Sequence, residues 1–324
     1  MCHNKKADFQ RLTSSYIRAG RRSITMNYKN ITVAGSGVLG SQIAYQTAFK
    51  GFNVVVYDIN DEALARAKDR IMNLKPHYQA DLGATEEEVN TAYNRISFNS
   101  QLSEAVRDAD LVIEAIPEVV QIKTDFYTEL GNVAPDKTIF ATNSSTLLPS
   151  QFAEATGRPE RFLALHFANE IWKNNTAEIM KHPGTDVKVF DEVIEFAKAI
   201  GMVALPLQKE QPGYILNSLL VPLLDAAQML LIKEIADPET IDKTWMVGTG
   251  APLGPFAILD VVGINTAYNI TLAKAQATGK EEFEKLAELL RTEYIDKGKL
   301  GRATGEGFYK YPNPSFMQPD FLKN

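Results

Sequence analysis

Gly35-Ser36-Gly37-Val38-Leu39-Gly40 has the spacing G-x-G-x-x-G, and its surroundings leave it few folds to adopt. An apolar run over residues 31–34 precedes it. A stretch rich in Ala and Gln over residues 39–50 follows and reads as a helix closed by Gly51, a residue suited to the left-handed position after a helix. A second apolar run, residues 54–57, then delivers Asp58, eighteen positions beyond Gly40. Strand, tight turn, helix and strand in this order make a βαβ unit. Each glycine has a task there. Gly35 permits the turn, Gly37 admits a pyrophosphate to the backbone, and Gly40 lets helix and strand pack closely. The helix start, with the amides of Val38, Leu39 and Gly40, attracts phosphate. Asp58 accepts hydrogen bonds from a ribose 2′-hydroxyl and repels a 2′-phosphate, so the expected cofactor is NAD rather than NADP.

The alternation continues beyond this unit. Short apolar runs at 111–115, 138–141, 162–167 and 202–207 read as strands buried on both faces. Stretches at 61–74, 102–108, 121–132 and 185–200 read as helices between them. Such alternation predicts a doubly wound, mostly parallel Rossmann sheet. Gln211-Pro212-Gly213 marks a break. Beyond it the periodicity is helical, with an amphipathic stretch at 281–294 and no convincing strand. The expected class is therefore α/β with a second, all-helical domain. A NAD-binding domain is expected over residues 26–210 and a helical C-terminal domain over 211–324.

Residues 1–25 differ from the rest. They carry Lys5, Lys6, Arg11, Arg18, Arg21 and Arg22 against a single acid, Asp8, whereas the whole chain has a formal charge of −6. This basic tail reads as a disordered extension ahead of Met26, or as the product of an upstream start codon. Its Arg and Ser content is shared with mitochondrial transit peptides. An acidic balance over 324 residues argues against nucleic acid or an anionic membrane as partner. Cys2 is the only cysteine, which excludes an intrachain disulfide framework and suits a reducing compartment. A cytoplasmic location is expected, with the mitochondrial matrix as the alternative. The apolar stretch 214–232 has the length of a membrane span, but Asn217, Pro222, Asp225 and Gln228 interrupt it, so a helix buried in a core or a dimer interface is expected instead.

Only four histidines occur: His3, His77, His166 and His182. His166 stands near the end of the run 162–167, and Glu178 lies twelve residues later in a second apolar run, 176–180. A strand, a loop and a returning strand would bring the two together. A buried carboxylate needs a partner, and a carboxylate on one imidazole nitrogen leaves the other free to exchange a proton with a hydroxyl or carbonyl. On spacing alone a satisfied core histidine is an equal reading. No spacing indicates a metal site. Asn143-Ser144-Ser145-Thr146 follows a strand, where loops of a parallel sheet line the ligand crevice. Its serines are candidates to donate to a reacting oxygen, or to cap the next helix.

Taken with Val112-Ile113-Glu114-Ala115-Ile116-Pro117-Glu118, His166-Phe167-Ala168-Asn169, Pro212-Gly213-Tyr214-Ile215-Leu216-Asn217, Gly254-Pro255-Phe256 and Gly305-Glu306-Gly307-Phe308-Tyr309, these motifs give the chain a specific resemblance to the L-3-hydroxyacyl-CoA dehydrogenase family. The resemblance runs from Met26 to Tyr311. It implies that His166 is the catalytic acid/base with Glu178 as its partner, that Ser145 and Asn217 hydrogen-bond the reacting oxygen, and that Glu118, Lys123, Ser145 and Asn169 contact the cofactor. It also implies a homodimer formed through the helical domain, which borders the substrate cleft. The chain departs from the family pattern in three places. Glu170-Ile171-Trp172-Lys173-Asn174-Asn175-Thr176 replaces a proline-rich stretch. Residues 73–90 hold one lysine, Lys75, and four acids, Asp81, Glu86, Glu87 and Glu88, where many members carry lysines that help hold CoA. Ala303 stands where many have a cofactor-contacting lysine, beside Arg302. In these features the chain resembles the diketoreductase branch, which reduces dicarbonyl esters lacking CoA. The resemblance thus implies NAD-dependent interconversion of 3-hydroxyacyl and 3-ketoacyl groups, as in fatty acid metabolism. The alternatives are reduction of β-keto or diketo esters, and a structural NAD-binding role without turnover, since a lens crystallin belongs to the superfamily.

Overall fold

A computed structural model describes residues 27–323; the basic tail over residues 1–25 lies outside them. Two compact units divide at Ile215 and Leu216.

The first unit is built on an eight-stranded sheet of order β3-β2-β1-β4-β5-β6-β7-β8. The strands are β1 (Asn30–Ala34), β2 (Asn53–Tyr57), β3 (Ile96–Asn99), β4 (Leu111–Glu114), β5 (Ile139–Thr142), β6 (Phe162–Phe167), β7 (Thr176–Met180) and β8 (Val203–Leu207). Every neighbouring pair is parallel except β6 and β7, which run antiparallel. Side chains alternate across β4: Leu111 and Ile113 join one apolar cluster with Ile31, Val33 and Leu165, while Val112 joins another with Ala34, Phe140 and Phe162. Both faces of the central strands are therefore dry, which is why they read as unbroken apolar runs. The edge strand β3, Ile-Ser-Phe-Asn, is only partly buried and carries no such run, so sequence pattern alone does not reveal it.

Helix α1 (Val38–Phe49) follows the glycine turn. Next come α2 (Asp61–Met72), α3 (Lys75–Leu82) and α4 (Glu86–Asn94). The acids Glu86, Glu87 and Glu88 form the first turn of α4, where the helix dipole favours them, and Glu88 closes a capping box with Thr85. Short α5 (Leu102–Val106) precedes β4, and α6 (Val120–Val133) and α7 (Val187–Ala199) complete the unit.

The second unit is helical: α8 (Leu216–Ile232), α9 (Pro238–Thr249), α10 (Pro255–Val262), α11 (Ile264–Thr278) and α12 (Glu281–Leu289). The expected helix at 281–294 changes from α to a π turn at Leu290–Ile295. Two buried aspartates organise the core. Asp242 accepts from the amides of Phe256 and Ala257, at 2.8 and 2.9 Å, and from the Tyr309 hydroxyl at 2.8 Å. Asp260 accepts from the amides of Phe308 and Tyr309, at 2.7 and 2.8 Å. Burial pushes both carboxyls above the usual range, against the pull of these donors. Gly254 and Gly307 are glycines because a Cβ there would fall 2.2 and 2.0 Å from the two carboxyl groups. Among the described residues no single helix is long and apolar enough to cross a membrane.

Candidate active site

The glycine turn is the first part of the site. Gly35 has φ +95°, and a Cβ on it would fall 2.4 Å from the Ala115 carbonyl oxygen; one on Gly40 would meet the Gly35 oxygen at 1.9 Å. Around Gly37 nothing lies within 4 Å of where a Cβ would stand. That open side, with no side chain capping α1, leaves the first helical amides facing a cavity of about 400 Å³. Val38, Leu39, Glu118, Lys123 and Ser145 also line it. Asp58, just past β2, accepts from Ser36 N at 2.8 Å and Ser36 Oγ at 2.5 Å through one oxygen, and from Ile59 N at 2.8 Å through the other. It thereby ties the turn to the end of the neighbouring strand. The cavity thus has the helix start of α1 in its lining, a ready site for phosphate, and Asp58 is tied to the same turn through Ser36, so the residues present fit the expected cofactor.

The second part lies at the carboxyl ends of β5 and β6. His166 and Glu178 are direct register partners across the antiparallel pair β6 and β7, so both side chains project from one face. Glu178 Oε2 stands 3.2 Å from His166 Nδ1, and Glu178 Oε1 accepts from Ile215 N at 2.8 Å. On the other side of the ring, Nε2 is 3.1 Å from Ser145 Oγ. With Glu178 ionised, Nδ1 carries the hydrogen and Nε2 is the acceptor of the neutral ring. Asn143 Oδ1 holds the loop and strand together by accepting from Phe167 N at 2.9 Å.

Tyr214 belongs to this group as well, although its place in the sequence marks it for no role. Its ring stacks on His166 with centroids 4.4 Å apart and planes 16° from parallel, and its hydroxyl donates to the Ser144 carbonyl at 2.7 Å. Burial pushes that hydroxyl far above its ordinary pKa, so it stays neutral. The only sequence signal was its place after Pro212-Gly213, in a bend where Tyr214 itself takes φ +55°.

Glu118 and Lys123 meet at 3.4 Å at the rim of the same cavity. Burial opposes ionisation of Glu118. Hydrogen bonds from Ser144 and Thr146 and the nearby Lys123 charge outweigh it and hold the carboxyl below its usual range. Asn169 is exposed on the loop after β6, its carbonyl accepting from Asn174 Nδ2 at 2.8 Å. Asn217 stands in the first turn of α8, in the second unit, and half-buried. His182 is a satisfied structural histidine: Nδ1 accepts from Gly184 N at 3.1 Å and Nε2 reaches the Pro159 carbonyl at 2.9 Å.

Residues 30–211 match the family description "3-hydroxyacyl-CoA dehydrogenase, NAD binding domain", and residues 213–311 match the corresponding C-terminal domain. The chain belongs to the 3-hydroxyacyl-CoA dehydrogenase family. It is an NAD-dependent oxidoreductase acting on hydroxyl groups. The human mitochondrial hydroxyacyl-coenzyme A dehydrogenase is 34% identical over 308 residues, covering 94% of this chain and 98% of its own. A probable 3-hydroxybutyryl-CoA dehydrogenase of Bacillus subtilis is 34% identical over 286 residues, covering 88% and 98%. A solved diketoreductase, described for dual catalysis of dicarbonyl compounds, is 57% identical with a TM-score of 0.85, covering 89% of this chain and all of its own. Within the family, then, similarity to a reductase of dicarbonyl compounds exceeds similarity to these CoA enzymes.

Proposed function

We propose that this family member reduces the keto group of β-keto and β,δ-dicarbonyl esters with NADH, and that these, rather than CoA thioesters, are its preferred substrates. The observation that carries the chemistry is the Ser145–His166–Glu178 line, with one imidazole nitrogen against a carboxylate and the other against a hydroxyl. NADH supplies the hydride when bound. His166 delivers the proton to the new hydroxyl from Nε2, and takes it back on oxidation. Glu178 stabilises the imidazolium while it carries that charge. Ser145 donates to the reacting oxygen, and Asn217 is assigned the same task. Gly35, Gly37, Gly40 and Asp58 are assigned to the dinucleotide, with Glu118, Lys123 and Asn169 around it.

The choice of a substrate without CoA rests on the 57% identity to a diketoreductase and on the rim at residues 73–90. Lys75, its only lysine, is engaged with Asn90 at 3.0 Å and lies over the Tyr93 ring. Asp81 is occupied as well, accepting from Trp172 Nε1 at 2.8 Å and pairing with Lys173 at 3.0 Å. The segment that departs from the family pattern is therefore fastened to α3 through Asp81, and the next helix, α4, opens on Glu86, Glu87 and Glu88, so this rim offers no free lysine to a polyphosphate and is a poor place to dock one. The 34% identity to CoA enzymes supports 3-hydroxyacyl-CoA turnover as the second reading. A homodimer through the helical unit and a cytoplasmic location belong to the proposal too. The first is supported by exposed apolar side chains such as Leu219 and Val261, at 70% and 56% exposure, and the second by a chain with one cysteine.

The test assays ethyl acetoacetate, a β,δ-diketo ester and acetoacetyl-CoA with NADH, in parent chain and His166→Gln. The ester substrates should show the higher kcat/KM, and the substitution should lower kcat by about 10²–10⁴ while NADH still binds. Higher kcat/KM on acetoacetyl-CoA overturns the substrate assignment. Near-parental kcat in His166→Gln removes this residue from proton transfer, and turnover of none of the three with NADH bound leaves the structural role.

A further inference from the structure

Glu114 ends β4 wholly buried and takes no part in the Ser145–His166–Glu178 line. Its carboxylate takes four donors. Oε1 accepts from Lys123 Nζ at 2.5 Å and Ile116 N at 2.9 Å; Oε2 accepts from Tyr127 OH at 2.7 Å and Thr142 Oγ1 at 2.8 Å. Lys123 is itself 1% exposed, so this is an ion pair out of water. Removing either partner of such a pair leaves an uncompensated charge. The pair does not end there. The same ammonium faces Glu118 Oε2 at 3.4 Å, and Glu118 Oε1 accepts from Ser144 Oγ, from Thr146 N at 3.0 Å and from Thr146 Oγ1 at 3.0 Å. Ser144 and Thr146 are the two neighbours of Ser145, whose hydroxyl lies against His166 Nε2.

One cation thus sits between two carboxylates of unequal burial. Glu114 is fixed by the sheet through Thr142 and by α6 through Tyr127, while Glu118 is 38% exposed at the cavity rim. The site of the Lys123 ammonium is set by the buried partner, and the position of Glu118 follows from it. We propose that Glu114 is a positioning residue of the dehydrogenase site: through Lys123 it holds Glu118 against the Ser144 hydroxyl and the Thr146 amide and hydroxyl, on either side of Ser145, and so sets the Ser145 loop against the cofactor and His166. Without the Glu114 charge the ammonium moves wholly to Glu118, draws that carboxylate off Ser144 and Thr146, and frees the loop.

The test uses the full chain with Glu114→Gln, Lys123→Met and the double variant. NADH affinity is read by direct fluorescence titration, which needs no turnover and so stands apart from the substrate assignment above; kcat is read on whichever keto substrate the parent chain reduces. Glu114→Gln should weaken NADH binding and lower kcat, each about tenfold, although the residue touches neither cofactor nor substrate. Added to Lys123→Met, the same substitution should change both by less than about twofold, because its effect passes through the lysine. A folded Glu114→Gln with NADH affinity and kcat near parental overturns the proposal, as does a full tenfold loss added on top of Lys123→Met. If Glu114→Gln alone does not fold, comparison of Lys123→Met with the double variant, which has no unpaired buried charge, still decides it. A structural role alone moves the melting temperature in both backgrounds and leaves the NADH affinity of the folded protein unchanged.

Discussion

Asp58 holds the glycine turn and is assigned a second duty, at the cofactor ribose. Its three acceptor contacts, to Ser36 N, Ser36 Oγ and Ile59 N, hold the glycine turn, and in the proposed assignment the same carboxylate is the negative charge that a ribose 2′-phosphate would meet. Replacing it by Ala should therefore do two things at once. The preference for NADH over NADPH should fall by at least about tenfold, since a like-charge contact costs several kcal/mol, and absolute NADH affinity should fall too because Ser36 loses its acceptor. Kd values for both cofactors check this, and an unchanged ratio would take Asp58 off the ribose. His166 is specified with similar redundancy. A carboxylate, a hydroxyl and an aromatic face surround its ring, which fixes its orientation. Of these, Glu178 and Ser145 are legible in sequence as polar residues in apolar or loop settings. Tyr214 is not, because nothing local distinguishes a stacked tyrosine from any other buried aromatic.

At the scale of elements, the sheet is held in register by polar groups at its ends as well as by its apolar faces. Asp110 lies just before β4 and accepts from Lys29 N at 2.8 Å, Asn30 N at 3.0 Å and Lys137 Nζ at 2.6 Å. Burial raises its pKa, but these donors outweigh burial and hold the carboxyl below its usual range. A depressed folded-state pKa means the stabilisation is present above the ordinary carboxylate pKa and lost as pH falls through the folded value. Asp110→Asn should accordingly destabilise the first unit by about 1–2 kcal/mol near neutral pH. The difference from the parent chain should shrink towards zero in acid, below the ordinary range of aspartate. Urea melts across pH 2–7 check this; a gap that persists in acid would mean that shape rather than charge is at work. Asp242 and Asp260 behave oppositely. Burial raises them, so ionising them opposes folding, and their contribution declines as pH rises through their folded values.

For the whole molecule, the second unit presents apolar side chains that its own helices leave uncovered. Leu219 on α8 and Val261 on α10 are examples. Two such surfaces brought together remove apolar area from water, the main favourable term in association. The double variant Leu219→Glu with Val261→Glu should shift the chain from dimer to monomer in light scattering, with the NAD-binding unit still folded by circular dichroism. A dimeric double variant would place the interface elsewhere, and a monomeric parent chain would remove the dimer from the proposal.

The sequence alone determined the α/β class and the glycine turn that opens the NAD-binding domain, because both depend on interactions close along the chain. A glycine turn needs Gly35, Gly37 and Gly40 at set offsets, and strands buried on both faces show as apolar runs. Helices α3 and α4 and the edge strand β3 were less legible, since their residues are half-exposed and their positions depend on what they pack against. What only the tertiary structure decided is the company each polar side chain keeps. Glu114 and Glu118 stand in one sequence motif and Lys123 five residues beyond it, yet which of them are wholly buried, and that two carboxylates share one ammonium, follows from strands β4 and β5 and helix α6 meeting in space. The same holds for Tyr214 over His166, and for Asp81 with Trp172, where residues 91 positions apart share a hydrogen bond. Local spacing encodes backbone geometry, whereas burial and electrostatic pairing are properties of the packed chain.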